Sequence, residues 1–145
     1  MSEKINLVFF AFGNSIPLVN ELTAYYKNSQ KFDINNLTIE DEVNQFLATS
    51  GQGIFFFKVN NKTDLQKAVT VLKAQKKLIK SGFVKPACVT SIKNKKVETV
   101  LAKYGCVDLL EPDTKAKTAS FKLDFWSKPI IAHLAQLARE EELQQ

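Results

Sequence analysis

The chain has 145 residues, 45% of them apolar and eleven of them Phe, with a net charge of +5. That is the size of one ordinary domain, with enough apolar side chains for a self-sufficient core, and it excludes a disordered or low-complexity chain. The longest apolar run, Leu7 to Phe12, is too short to cross a membrane, and no export signal pattern opens the chain. A cytoplasmic protein without membrane insertion is expected.

Ile5 to Ala11 is a continuous apolar run, the pattern of a strand covered on both faces. Asn14, Ser15 and Pro17 supply capping chemistry and a first-turn proline. They open a helix in which Ile16, Val19, Leu22 and Tyr26 recur at helical spacing. Phe32 to Leu37 is a second, weaker strand. Thr38, with Asp41 three positions on, predicts a capping box for a short helix marked by Val43, Phe46 and Leu47 and closed by Gly51. The third strand is Ile54 to Val59, again apolar on both faces. A single long helix is predicted from Asp64 to Ser81, with Leu65, Ala68, Val69, Leu72 and Ile79 inward and Gly82 at its end. Pro86 to Ser91 is the fourth strand. Asn94 caps a helix whose Val97, Val100, Leu101 and Tyr104 share a face, Gly105 ends it, and Val107 to Leu110 is a short fifth strand.

After Pro112 two patterns fit. Phe121, Leu123 and Phe125 alternate with Lys122 and Asp124 at strand period, while Ala119, Leu123 and Trp126 lie on one helical face. The helix is preferred, because a fifth helix has to cover the last strand. Pro129 is predicted to break it, with Ile130 to Leu143 forming a further helix that ends in Arg139-Glu140-Glu141-Glu142.

Five strands that alternate with helices, the apolar ones buried on both faces, predict an α/β fold built on a doubly wound parallel sheet. Residues 1–127 are expected to form this domain, and residues 128–145 a C-terminal linker helix leading to a further domain.

Little in the chain points to catalysis. Cys88 and Cys106 share no CxxC spacing, and His133 is the only histidine, so neither a metal cluster nor a histidine-based nucleophile is expected. The thiols read as small buried hydrophobes. No GxGxxG or GxxxxGKS loop follows any strand, which argues against a nucleotide cradle and leaves no cofactor to expect. Gly13-Asn14-Ser15 could present a helix N-terminus to an anion.

The charge is segregated. Residues 1–57 carry three lysines against six acids, residues 58–103 twelve lysines against two acids, and residues 104–145 five basic residues against seven acids. Lys73, Lys77 and Lys80 are spaced to share one helix face. With Lys95 and Lys96 of the next helix they could form one positive surface for an acidic protein partner. Nucleic acid, read by the lysine-rich face of residues 67–103, ranks behind it. The block has no arginine and no interleaved aromatic residue.

The stretch Gly105-Cys106-Val107-Asp108-Leu109-Leu110-Glu111-Pro112 resembles the Gly-Ala-x-x-Tyr-Leu-x-Lys-Pro signature of bacterial response-regulator receiver domains, and Thr90 or Ser91 matches their hydroxyl residue. The resemblance spans roughly residues 4–127. It implies a flavodoxin-like (βα)5 fold of strand order 2-1-3-4-5, a signalling role in a bacterial protein, and dimerisation through the fourth and fifth helices.

The departures from that pattern fall on its phosphorylation site. A receiver has an acidic pair after its first strand and an aspartate after its third. Here Phe9-Phe10-Ala11-Phe12-Gly13-Asn14 contains no acid, and Lys58 or Asn60 stands where the aspartate would. Glu111 replaces the lysine before the fifth-strand proline. A carboxylate nucleophile and the oxygen ligands for a hard cation are both missing. The degenerate positions are therefore Asn14, Lys58, Asn60, Thr90, Ser91 and Glu111. A pseudo-receiver that binds a protein partner is expected, with Lys58 and Glu111 forming a partly buried ion pair in reversed sense. Phe121, Phe125 and Trp126 are expected to support partner contacts and a weak homodimer.

Overall fold

In the computed structural model, which describes residues 4–10 and 17–144, the two apolar runs and the fourth predicted strand become the interior strands of one parallel sheet. β1 (Ile5–Phe10), β3 (Gly53–Lys58) and β4 (Val84–Val89) lie inside, with β2 (Phe32–Leu37) and β5 (Asp108–Leu110) at the edges. Every pairing is parallel, as the apolar strands predicted, and the order is β2-β1-β3-β4-β5, as the resemblance implied.

Alternate side chains serve two layers. Ile5, Leu7, Phe9, Ile54, Phe56, Ala87 and Val89 pack on α1 (Pro17–Tyr25) and α6 (Ala116–Gln144). Val8, Phe10, Phe55, Phe57, Val84 and Cys88 pack on α2 (Glu40–Ser50), α3 (Lys62–Ala74), α4 (Lys76–Ser81) and α5 (Lys95–Lys103). Phe9 and Phe56, opposite each other across β1 and β3, stack at 4.8 Å with their planes 9° apart. The phenylalanine run is thus divided between both cores.

Several boundaries differ from the expected ones, each for a local reason. The Thr38–Asp41 capping box does not form; Ile39 occupies the N-cap of α2 without a side-chain bond. Glu40, Asp41 and Glu42 in the first turn meet the positive end of the helix dipole instead. The long helix is broken at Gln75, whose φ of −97° and ψ of 15° depart from helical values. Its buried side chain donates to Asn44 Oδ1 at 3.1 Å, tying the break to α2.

Pro129 does not end the last helix. α6 runs unbroken from Ala116 to Gln144. Ser127 and Ile130, on either side of the proline, are buried, Ile130 in the core it shares with β1, β3 and β4, and that packing holds the helix through the one hydrogen bond the ring removes. α6 therefore carries both the segment that covers β1 and β3 and the segment expected as a linker. Its first residue donates its N–H to Glu21 of α1 at 3.3 Å, and Lys31–Asp124 (2.6 Å) and Lys122–Asp108 pairs tie its sides to the body.

Candidate functional site

In doubly wound sheets the chemistry lies at the carboxyl ends of the strands, and Lys58, Asn60, Thr90, Ser91 and Glu111 all lie there. Lys58 is the last residue of β3, in register with Val89 of β4. Oriented with its oxygen toward the Lys58 ammonium and its nitrogen toward the Val59 carbonyl, the Asn60 amide bridges the two at 3.2 Å each. The turn is closed by reciprocal capping: Asp64 N–H donates to Asn61 Oδ1 at 2.8 Å, and Asn60 N–H donates to Asp64 Oδ2 at 3.0 Å. Asp64, the carboxylate nearest in sequence to the end of β3, is thereby committed to its own helix.

Thr90 is buried one residue beyond β4. Its hydroxyl donates to the Val59 carbonyl at 2.5 Å and accepts from Ile92 N–H at 3.0 Å. The hydroxyl hydrogen is spent on holding the two strand ends together. Ser91 is exposed beside it. Asn14 lies outside the described residues, with the Gly13-Asn14-Ser15 turn.

The expected Lys58–Glu111 ion pair is not made. Glu111 is exposed and faces Lys93, at 3.9 Å, from the loop between β4 and α5. The sheet order explains this: β4 stands between β3 and β5, so the two residues start about two strand spacings, roughly 10 Å, apart.

The lysine surface is rearranged by the break at Gln75. Lys73 lies in the last turn of α3, whereas Lys77 and Lys80 belong to α4, so the three do not share one continuous helix. Lys73 and Lys80 join Lys76 and Lys103 around a groove of about 530 Å³, floored by Leu72, Ile79, Tyr104 and Gly105. Lys73 Nζ and Lys103 Nζ each lie 5.8 Å from the centre of the Tyr104 ring, within cation–π range. Among the described residues no acidic side chain lines the groove. Lys77 is exposed outside it, and Lys95 and Lys96 sit at the opposite end of α5. Sequence reasoning placed Tyr104 on the buried face of its helix. Its position at the C-cap, where α5 meets α4, was the missed signal.

Trp126 belongs to the core, not to a contact surface. It is 7% exposed, its ring 6.4 Å from that of Phe56. At helical spacing it shares the inward face with Leu123 and Ile130, which leaves Phe121 (70% exposed) and Phe125 (69%) on the outward face. Lys128 covers part of the Phe125 ring at 5.6 Å.

The remaining nucleophiles are poorly placed for chemistry. Burial pushes the Cys106 thiol up to about 11 and the Cys88 thiol up as well, so neither is an available thiolate. His133 stacks on Phe83 at 3.7 Å.

No sequence-family profile matches the chain, and no curated protein matches it. Solved structures do. The signal receiver domain of a protein from Vibrio parahaemolyticus is 14% identical with a TM-score of 0.61, and the match covers 99% of each chain. The BeF3-activated N-terminal receiver domain of RstA from Klebsiella pneumoniae is 13% identical with a TM-score of 0.60, over 83% of this chain and 96% of that one. A response regulator from Thermotoga maritima is 18% identical with a TM-score of 0.57, over 88% and 98%. The fold is that of the response-regulator receiver domains.

Proposed function

We propose that this chain is a non-catalytic signalling or scaffolding module that acts by binding a protein partner, its phosphorylation chemistry lost. The supporting observation is the set of groups at the strand ends. Lys58 and Asn60 stand where a phosphoryl acceptor would need a carboxylate, and the Thr90 hydroxyl is already bonded to Val59. A lysine can bind an anion but cannot become an acyl phosphate. The sequence between β1 and α1 supplies no acid to hold a divalent cation either. Among the described residues no helix is long and apolar enough to cross a membrane.

Incubation with a small phosphoryl donor and magnesium, followed by intact-mass measurement, tests this reading. An unchanged mass is expected. An acid-labile gain of one phosphoryl group would overturn it.

A nucleic-acid module is the competing reading, favoured by the Tyr104 ring among four lysines and opposed by the lack of arginine in residues 58–103. Gel-shift titration separates the two. Tight binding to duplex or single strand that falls steeply with salt would promote the rival.

A further inference from the structure

Two features without a partner among the described residues lie at the same end of the molecule. The first is the end of α6. Pro129 and His133 pass the residues that lead into β4: the His133 ring stacks on Phe83, and Pro129 lies beside Gly82. From Ala135 to Gln144 every residue is exposed. That is about 15 Å of helix projecting past the end of the sheet where the strands begin. The packed part of α6 nucleates these turns, but among the described residues nothing covers them. They carry Arg139-Glu140-Glu141-Glu142-Leu143, and Leu143 is 86% exposed.

The second feature is the lysine groove. Ile79 and Lys80 close α4 just before β4, and Lys103, Tyr104 and Gly105 close α5 just before β5. The groove therefore opens toward the same end of the sheet as the projecting helix. Its rim is wholly basic and its floor is apolar. An occupant with several carboxylates and one aliphatic anchor fits both, and the last turns of α6 have that composition.

We propose that the lysine groove receives the acidic end of α6 from a second copy of this chain. Glu140 and Glu142, which flank Leu143 on the helix, lie against Lys73, Lys76, Lys80 and Lys103, Leu143 covers the apolar floor of Leu72 and Ile79, and Glu141 faces away. Because groove and helix end share one pole, a two-fold axis there lets each copy offer its helix to the other. The contact closes as a reciprocal dimer and does not propagate. Phe121 and Phe125, nearer the start of α6, take no part. The proposal names the partner for the lysine surface and rests on the protein-binding reading only for that surface; the phosphoryl test above is independent of it.

Sedimentation velocity on the full chain tests the pairing. At low salt a monomer–dimer equilibrium is expected, weakened at high salt because the rim contacts are ionic. Reversing Glu140 and Glu142 to Lys should weaken the dimer at least about tenfold. Reversing Lys73, Lys76, Lys80 and Lys103 to Glu should do the same. A chain carrying both sets should dimerise again, with circular dichroism confirming the fold of each. A synthetic peptide of residues 131–144 should dissociate the wild-type dimer, a measurement that needs no variant to fold. Replacing Phe121 and Phe125 with Ser should leave the equilibrium unchanged. A chain that stays monomeric at high concentration and low salt would overturn the proposal. So would a dimer that ignores both reversals, resists the peptide or is lost with the two phenylalanines.

Discussion

A methyl group on Gly105 would lie 2.5 Å from Cγ2 of Ile79, so the turn that ends α5 and the last turn of α4 meet where one of them has no side chain. Gly105 also holds a φ of +92°, and the turn is locked by Gly105 N–H to Ala102 O at 3.1 Å and Cys106 N–H to Leu101 O at 3.0 Å. Gly105→Ala should cost about 2–4 kcal/mol, the left-handed backbone and the overlap each contributing. Gly51→Ala is the control: its φ of +72° is similar, but nothing lies within 4 Å of the added methyl. It should cost only about 1–2 kcal/mol. Equal losses in urea unfolding would show that the Ile79 contact does not matter.

Gln52 is fully buried at the opposite end of the sheet from Lys58, Asn60 and Thr90. Its Oε1 accepts from Asn6 N–H at 3.2 Å, and its Nε2 donates to the Lys4 carbonyl at 2.9 Å. Gln52→Leu keeps much of the volume but strands a backbone donor and a backbone acceptor. A loss of about 2–3 kcal/mol is expected by urea denaturation. A change within about 0.5 kcal/mol would mean that water replaces both bonds.

Trp126 and the two exposed phenylalanines of α6 should respond in opposite ways to truncation. Trp126→Ala removes a ring packed on Phe56 and should cost about 3–5 kcal/mol. Phe121→Ala and Phe125→Ala should each change stability by about 0.5 kcal/mol or less, since both rings face solvent. If the phenylalanine variants were as damaging as the tryptophan variant, the assignment of the two faces of α6 would fail.

Alkaline pH should weaken the fold. Burial, and then the Asp124 carboxylate, push the Tyr26 hydroxyl up to about 12, and burial pushes the Cys106 thiol up to about 11 and the Cys88 thiol up as well. In the unfolded chain these groups ionise near their ordinary values of 10.0 and 9.0. The folded state then binds more protons than the unfolded state as pH rises, so stability falls. The contribution is whole below about pH 9 and is progressively lost up to about pH 12. Thermal unfolding midpoints recorded across that window should decline. A flat profile in a chain with both cysteines changed to Ala would assign the effect to the thiols and leave Tyr26 without a part in it.

The doubly wound sheet was legible in the sequence. Runs such as Ile5–Phe10 and Ile54–Phe57 are apolar at nearly every position, and a strand covered on both faces accepts that pattern. The caps at Asn94 and Gly51 were legible for a similar reason: one residue and its neighbours suffice to make them. Gln75 was not, because the bond that breaks its helix is made by Asn44, thirty-one residues away. Nor was the continuity of α6 through Pro129, which depends on Ile130 entering the core beside the sheet. The candidate site divides along the same line. That Lys58 and Asn60, and no acid, stand at the end of β3 is a matter of residue identity, readable position by position. The pairing of Glu111 with Lys93 and the gathering of four lysines around Tyr104 depend on which strand stands between which. Local periodicity reports which face of an element is buried, but charged side chains choose partners by distance, and distance between remote residues exists only once the sheet has assembled.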